Sequence, residues 1–450
     1  MKIRSKPQNR QQVSPRVMFV SRVIPVENST GARTYVIDLL KYLNKSECSI
    51  EMLIIDDSPG RRSSIFQVST MVHKLGQIRV MNNLRFGRFF FRYVSFFDFL
   101  KAPFGFIYYF IPINLREKIL GLCFKIASIL AHFLKIKSFK ISTSPLINDA
   151  LVNQEEIDFV ESRLKTFQPD VILLNYVWLS PIFDKILNDD SILKVILTID
   201  IVHKRTESAK KLGIPWSFSN WSFEKESQLL SKADVLLAVH DEDAKIMKRM
   251  TPQTEVLAAP MSVSKPLHNQ KQIPGRCLFV GSNGQTNVQG LLWLLDHVWP
   301  LVLTEVPECS LHVCGTVCKE IKSMYQNVKF LGRIDNLDDE YSASEVIVIP
   351  LLFGSGLKIK LIEALAHGRA CISTSIGVYG LEEFVNKAVL VDDTIEGFAE
   401  LICTVLTNQQ KREMMEYHAI EYLFEKFSPE KTYQPFVEKI FLHVNHTRTC

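Results

Sequence analysis

EVIVIPLLFGSGLKIKLIEALAHGRACISTSIGVYGL, residues 345–381, is the stretch from which the architecture can be read. The β-branched run EVIVIP predicts a strand closed by Pro350. A loop with Gly354, Ser355 and Gly356 follows, a helix opens near Leu357, and RACISTS predicts the next strand. Strands that are apolar throughout and alternate with helices belong to a parallel sheet covered on both faces, the doubly wound α/β architecture. The loop carries chemistry as well. Backbone N–H groups at a helix start, approached closely because of the glycines, suit an anion such as a diphosphate. Lys358 and Lys360 stand in the first turn, where the helix dipole disfavours cations, so an anionic ligand is expected there. Glu363, one to two turns further in, can accept hydrogen bonds from ribose hydroxyls. Taken alone, this loop also fits an ordinary strand-to-helix connection with solvated lysines.

The same alternation extends in both directions. Towards the C-terminus and the linker it runs RCLFVGS, CSLHVCG, NVKFLG, EVIVIP, RACISTS and AVLVDD, with helices such as GLLWLLDHVWPLVL between them. A second series, nearer the N-terminus, runs RVMFVS, SIEMLIIDD, DVILLNYVW, KVILTID and ADVLLAVH. The polar stretch 262–275 separates the two. The chain therefore divides into a first domain at 15–262, a second at 275–425, and a final segment at 426–450 whose helix starts at Pro429 and is free to pack back on the first domain. Ligands are expected at strand C-terminal ends, facing the cleft between the domains.

A length of 450 residues allows two to four domains, and 47% hydrophobic with 22% charged residues excludes a disordered or fibrous chain. The net charge of +5 is too small to argue for nucleic acid. Its distribution is more telling. Between Arg85 and Lys140 ten basic residues stand against Asp98 and Glu117, so this stretch carries the whole positive excess. It is also the most aromatic part of the chain and breaks the alternation, which marks 85–140 as an insertion suited to a membrane surface. A helix covering the sheet explains its apolar residues but not its charge. Its longest uncharged run, 102–115, is too short to span a bilayer, and no secretory leader is visible at the N-terminus. The nine scattered cysteines read as buried thiols of a reducing compartment, and no metal site is expected.

The loop at 354–368, which fits GxGxKxKxxEAxAxG, together with STSIGVYGL and its Gly377 and Gly380, resembles the family-4 (group 1) glycosyltransferases of the GT-B fold. RCLFVGSNGQTNVQGLLWLLDHVWPLV, LHVCG and LGRIDNLDDEYSASEVIVIP extend the resemblance over about 275–405. It implies two Rossmann-like domains facing a cleft, with a nucleotide-diphosphate sugar on the second as substrate and no cofactor. Glu363 would hold the ribose; Lys358, Lys360 and the Gly354–Ser355–Gly356 backbone the phosphates; Gly332, Arg333 and Ile334 the base; Gly281 and Gly377 would border the donor. Many members carry a Glu-x7-Glu pair here. Ser355 occupies the place of the first glutamate, which puts in question a mechanism that uses it to position the donor sugar.

In the first domain, VIPVENSTGAR resembles the family's glycine loop, making Gly31 and Arg33 acceptor-side candidates. LTIDIVHKRTES supplies Asp200 as a catalytic candidate beside Lys358 and Lys360, with His203 and Arg205 on the acceptor side. His240 and Asp241 end a strand, and Asp243 is expected to serve a helix start. The resemblance implies retaining sugar transfer, and the basic aromatic segment suits a glycan or lipid-linked acceptor at the inner membrane face. The protein is then expected to be cytoplasmic and peripheral at the inner membrane face, with 85–140 on the lipid. A non-catalytic nucleotide- or glycan-binding protein on the same frame, and a nucleotide-sugar epimerase, remain alternatives.

Overall fold

The computed structural model describes residues 14–22, 31–55, 65–67, 74–81, 83–86, 89–92, 150–211, 221–263, 271–334, 336–354, 356 and 358–449. The segment 85–140, expected at a membrane surface, thus lies outside the described residues, apart from the backbone of 85–86 and 89–92. Ser355 lies outside them too.

The first domain contains β1 (Arg16–Ser21), β2 (Ser49–Ile54), β3 (Ile65–Gln67), β4 (Gln77–Val80), β5 (Asn83–Phe86), β6 (Phe89–Arg92), β7 (Val171–Asn175), β8 (Leu193–Leu197), β9 (Val235–Ala238) and β10 (Glu255–Ala258). Seven of these form one sheet in the order β10-β9-β8-β7-β1-β2-β4, parallel throughout. β3, β6 and β5 pair antiparallel in a separate small sheet, which departs from the alternation. The second domain contains β11 (Arg276–Val280), β12 (Ser310–Cys314), β13 (Val328–Gly332), β14 (Val346–Ile349), β15 (Ala370–Ser373) and β16 (Val389–Val391). They form a parallel sheet in the order β13-β12-β11-β14-β15-β16.

Both sheets reverse strand order once, between β1 and β7 in the first domain and between β11 and β14 in the second. Chains leave such a point in opposite directions and open a crevice outside the strand ends, the usual ligand position in doubly wound folds. The central strands β1, β7 and β14 are buried at nearly every residue, as strands covered on both faces must be. Of the three hydrophobic clusters among the described residues, one lies wholly in each domain and the third runs through both, from Val17 and Leu40 to Leu361 and Tyr433.

One predicted helix is broken. GLLWLLDHVWPLVL is helical at Gln285–Trp293, passes through a π-turn at Leu294–Val298, and resumes at Trp299–Glu305. Pro300 has no N–H to donate backwards, so the ladder adjusts just before it. The helix expected near Leu357 starts at Ile359, with Lys358 in the cap position.

Candidate donor site at the inter-domain cleft

The candidate donor loop leaves β14 at the switch point of the second sheet. Gly354 (φ +134°) and Gly356 (φ +72°) both hold backbone conformations that other residues rarely adopt. Gly356 has a second constraint: a Cβ there would lie 2.5 Å from the carbonyl oxygen of Ile199 and 2.9 Å from Cβ of Asp200. The loop therefore touches the end of the first domain's sheet, which only a glycine permits.

Lys358 curls back so that its ammonium donates to the Gly356 carbonyl at 2.9 Å. Burial lowers its pKa to about 8, against the opposing pull of Asp243 and Asp200 from the first domain. Lys360 donates to Oδ1 of Asn287 and lies 4.9 Å above the Phe279 ring. Its pKa falls to about 7, by burial first and by the neighbouring Lys358 second. Gly281 makes room for this arrangement, because a Cβ would stand 2.8 Å from the Phe279 ring and 3.1 Å from Cβ of Asn287. Gly377 seats the turn after β15, where a Cβ would meet Ser373 Oγ at 2.3 Å and the Ile349 carbonyl oxygen at 2.6 Å.

Glu363 accepts a hydrogen bond from the Tyr341 hydroxyl at 2.9 Å, and burial raises its pKa to about 7. Gly332 (φ +70°) ends β13, the edge strand, and Arg333 and Ile334 follow it, with Arg333 exposed. The residues assigned to phosphate and ribose thus gather along the start of one helix, and those assigned to the base lie at the far edge of the sheet.

On the first domain, Asp200 is buried, receives a hydrogen bond from Arg205, and is pushed up in pKa by desolvation ahead of the opposing effect of Arg205. His203 is held differently from its neighbours. Rather than standing in a loop, it lies in the helix Val202–Lys211, where its Nδ1 is 2.7 Å from Glu226 Oε2 and its backbone N–H donates to the same oxygen at 2.8 Å. Glu226 thus ties His203 to the first domain's own packing. Gly31 starts the helix Gly31–Lys45, and the charge of Arg33 acts on Tyr176 together with Asp200 and Arg205.

Sequence reasoning missed one cluster. His240, not Asp243, caps the helix Asp241–Met250, its Nδ1 accepting from the Asp243 backbone N–H at 3.1 Å. The Asp243 carboxylate faces the cleft instead. It accepts from the Tyr379 hydroxyl of the second domain at 3.3 Å, and burial raises its pKa to about 7. Gly380 lies against His240, where a Cβ would be 2.7 Å from the ring. An aspartate at the third position of a helix gave no signal for this, since the partner residue is more than a hundred positions away. Among the described residues no group of three His, Cys, Asp or Glu is placed to hold a metal.

Residues 274–408 match the family model described as "Glycosyl transferases group 1". An uncharacterized 44.6 kDa protein of the cps region of Klebsiella pneumoniae is 27% identical over 169 residues, which is 35% of this chain and 43% of that protein, so the match spans less than half of the relative. Among solved structures, sucrose-phosphate synthase from Thermosynechococcus elongatus superposes with a TM-score of 0.60 at 13% identity, covering 97% of this chain and 99% of the other. The pneumococcal O-GlcNAc transferase GtfA in complex with UDP and GlcNAc superposes with a TM-score of 0.60 at 12% identity, covering 95% and 99%. The second domain thus matches the group 1 glycosyl transferases over residues 274–408, and the two parallel sheets give the chain the GT-B fold.

Proposed function

We propose that the protein transfers a sugar from a nucleoside-diphosphate sugar, held on the second domain, to a glycan or lipid-linked acceptor on the first. The observation that carries this reading is the placement of Lys358 and Lys360 together at the switch point between β11 and β14, both drawn away from water. Two partly dehydrated cations side by side at one helix start favour an incoming diphosphate, and preorganised charge of this kind stabilises a departing diphosphate most as its negative charge develops. Glu363 then receives the ribose and Gly332–Ile334 the base. Asp200 lies across the cleft, against the donor loop, at the place where acceptor meets donor.

The reading includes retention of anomeric configuration, as the family resemblance implies, and an acceptor at the inner face of a membrane, which the basic aromatic segment 85–140 supports. UDP in the pneumococcal transferase complex makes uridine nucleotides the first to try. A thermal-stabilisation screen of UDP-, GDP-, ADP- and dTDP-sugars is expected to pick out one nucleotide class, because a ligand that binds only the folded state stabilises it by mass action. That class should then lose its sugar when lipid and crude acceptor extract are supplied. The absence of both stabilisation and turnover with all of them would overturn the proposal.

A further inference from the structure

The carboxylate assigned to the ribose is backed by a tyrosine that the family pattern did not point to. Tyr341, in the short helix Asp338–Ala343, is 1% exposed, and its hydroxyl donates to Glu363 Oε2 at 2.9 Å. His367 stacks on the Tyr341 ring, with centroids 4.9 Å apart and planes 20° from parallel. The imidazole is itself pinned, with Nδ1 2.8 Å from the Glu363 carbonyl oxygen and Nε2 3.2 Å from Asp338 Oδ1. The phenol is thus fixed at its face and at its hydroxyl. A phenol offers one O–H, so it engages one oxygen of the carboxylate and leaves the other, Oε1, to a further donor.

We propose that Tyr341 is a positioning residue for donor recognition: by engaging one oxygen of Glu363 it keeps the carboxylate ionised and its second oxygen available to ribose hydroxyls. The site then selects ribonucleoside over 2′-deoxyribonucleoside diphosphates. The inference rests on the reading that Glu363 meets the ribose. Burial pushes the Glu363 carboxyl up, while the Tyr341 hydrogen bond and Lys360 pull it down and Asp338 pushes it up again. A protonated carboxyl is a poorer acceptor, so a group that favours the ionised form also favours ribose binding.

The test is calorimetric titration of the full chain with UDP and 2′-deoxy-UDP, and with GDP and 2′-deoxy-GDP, for the wild type, Tyr341→Phe and Glu363→Gln. The wild type is expected to prefer the ribonucleotide, with the preference full above pH 7 and declining as pH falls through that value. Tyr341→Phe should weaken ribonucleotide binding about five- to tenfold and leave the deoxynucleotide within about twofold, since one hydrogen bond to a charged group is lost. It should also move the midpoint of the preference to higher pH, which a packing defect does not do. Equal losses for both nucleotides with an unmoved midpoint, or no loss, would overturn the inference alone. Glu363→Gln with an unchanged preference, or no nucleoside diphosphate bound at all, would instead remove the reading beneath it. Should Tyr341→Phe not fold, a wild-type preference that is flat across pH 7 still overturns the inference.

Discussion

Lys360 stands far from its ordinary state, with a pKa near 7 in place of the usual 10.5. An anion that requires the ammonium must protonate it first, so the lysines' contribution to nucleotide-sugar affinity is full below pH 7 and falls as pH rises through 7 and then through 8, where Lys358 follows, while the ribose contribution of Glu363 is lost in the opposite direction, as pH falls through 7. Using UDP-glucose, whose diphosphate does not titrate in this range, Lys360→Ala should lower affinity about tenfold or more, the scale of a charged hydrogen bond, and remove the fall near pH 7. A profile that keeps the fall would assign it to another group. Gly356→Ala tests the backbone in the same loop. With φ at +72° and a Cβ forced to 2.5 Å from the Ile199 carbonyl oxygen, the loop must move away from Asp200, at a cost of about 1–3 kcal/mol. Donor affinity and melting temperature should both fall; an unchanged variant would show that the loop does not need this contact. The lysines and Glu363 were legible because one helix start presents them at fixed spacing. Tyr341 and Asp243 were not, since each meets its partner through tertiary packing.

The final helix, Pro429–Thr449, shows how an element can belong to a domain remote from it in sequence. Pro429 opens it, as its missing N–H costs nothing at a helix start. Its direction is set by contacts with the first domain: Tyr433 packs on Tyr42, the Ser262 backbone N–H donates to the Tyr433 hydroxyl at 3.2 Å, and Arg448 reaches both oxygens of Asp170 at 2.7 Å. Tyr433, Phe436, Ile440 and Val444 are all buried. At about 1.5–3 kcal/mol for each large apolar side chain, removing them exposes surface comparable with the whole stability of a domain. Deleting 429–450 is therefore expected to give an aggregating chain with no cooperative melt. A soluble, cooperatively melting truncation would show that the first domain closes its core without the helix. Arg448→Ala should cost only about 1 kcal/mol, because that pair is partly exposed.

For the molecule as a whole, the distribution of charge leads to a prediction about surroundings. If 85–140 meets lipid, the full chain should co-sediment with phosphatidylserine-containing vesicles at low salt, lose them as salt screens the basic residues, and ignore phosphatidylcholine vesicles. Retention on neutral vesicles alone, or on none, would argue against an anionic surface. Among the described residues no helix is long and apolar enough to cross a membrane. The order of apolar strands and helices by itself determined that there are two doubly wound domains, because burial on both faces and the helical period are local properties of the chain. Spacing within one helix likewise determined that Lys358, Lys360 and Glu363 stand together near one helix start. Only the tertiary structure decided that Gly356 touches Asp200, that Asp243 faces Tyr379 across the cleft instead of capping its helix, that Tyr341 stands behind Glu363, and that the last helix lies on the first domain. These contacts join residues from 22 to 278 positions apart. Periodicity carries no information at such separations; the packing of one element on another fixes them.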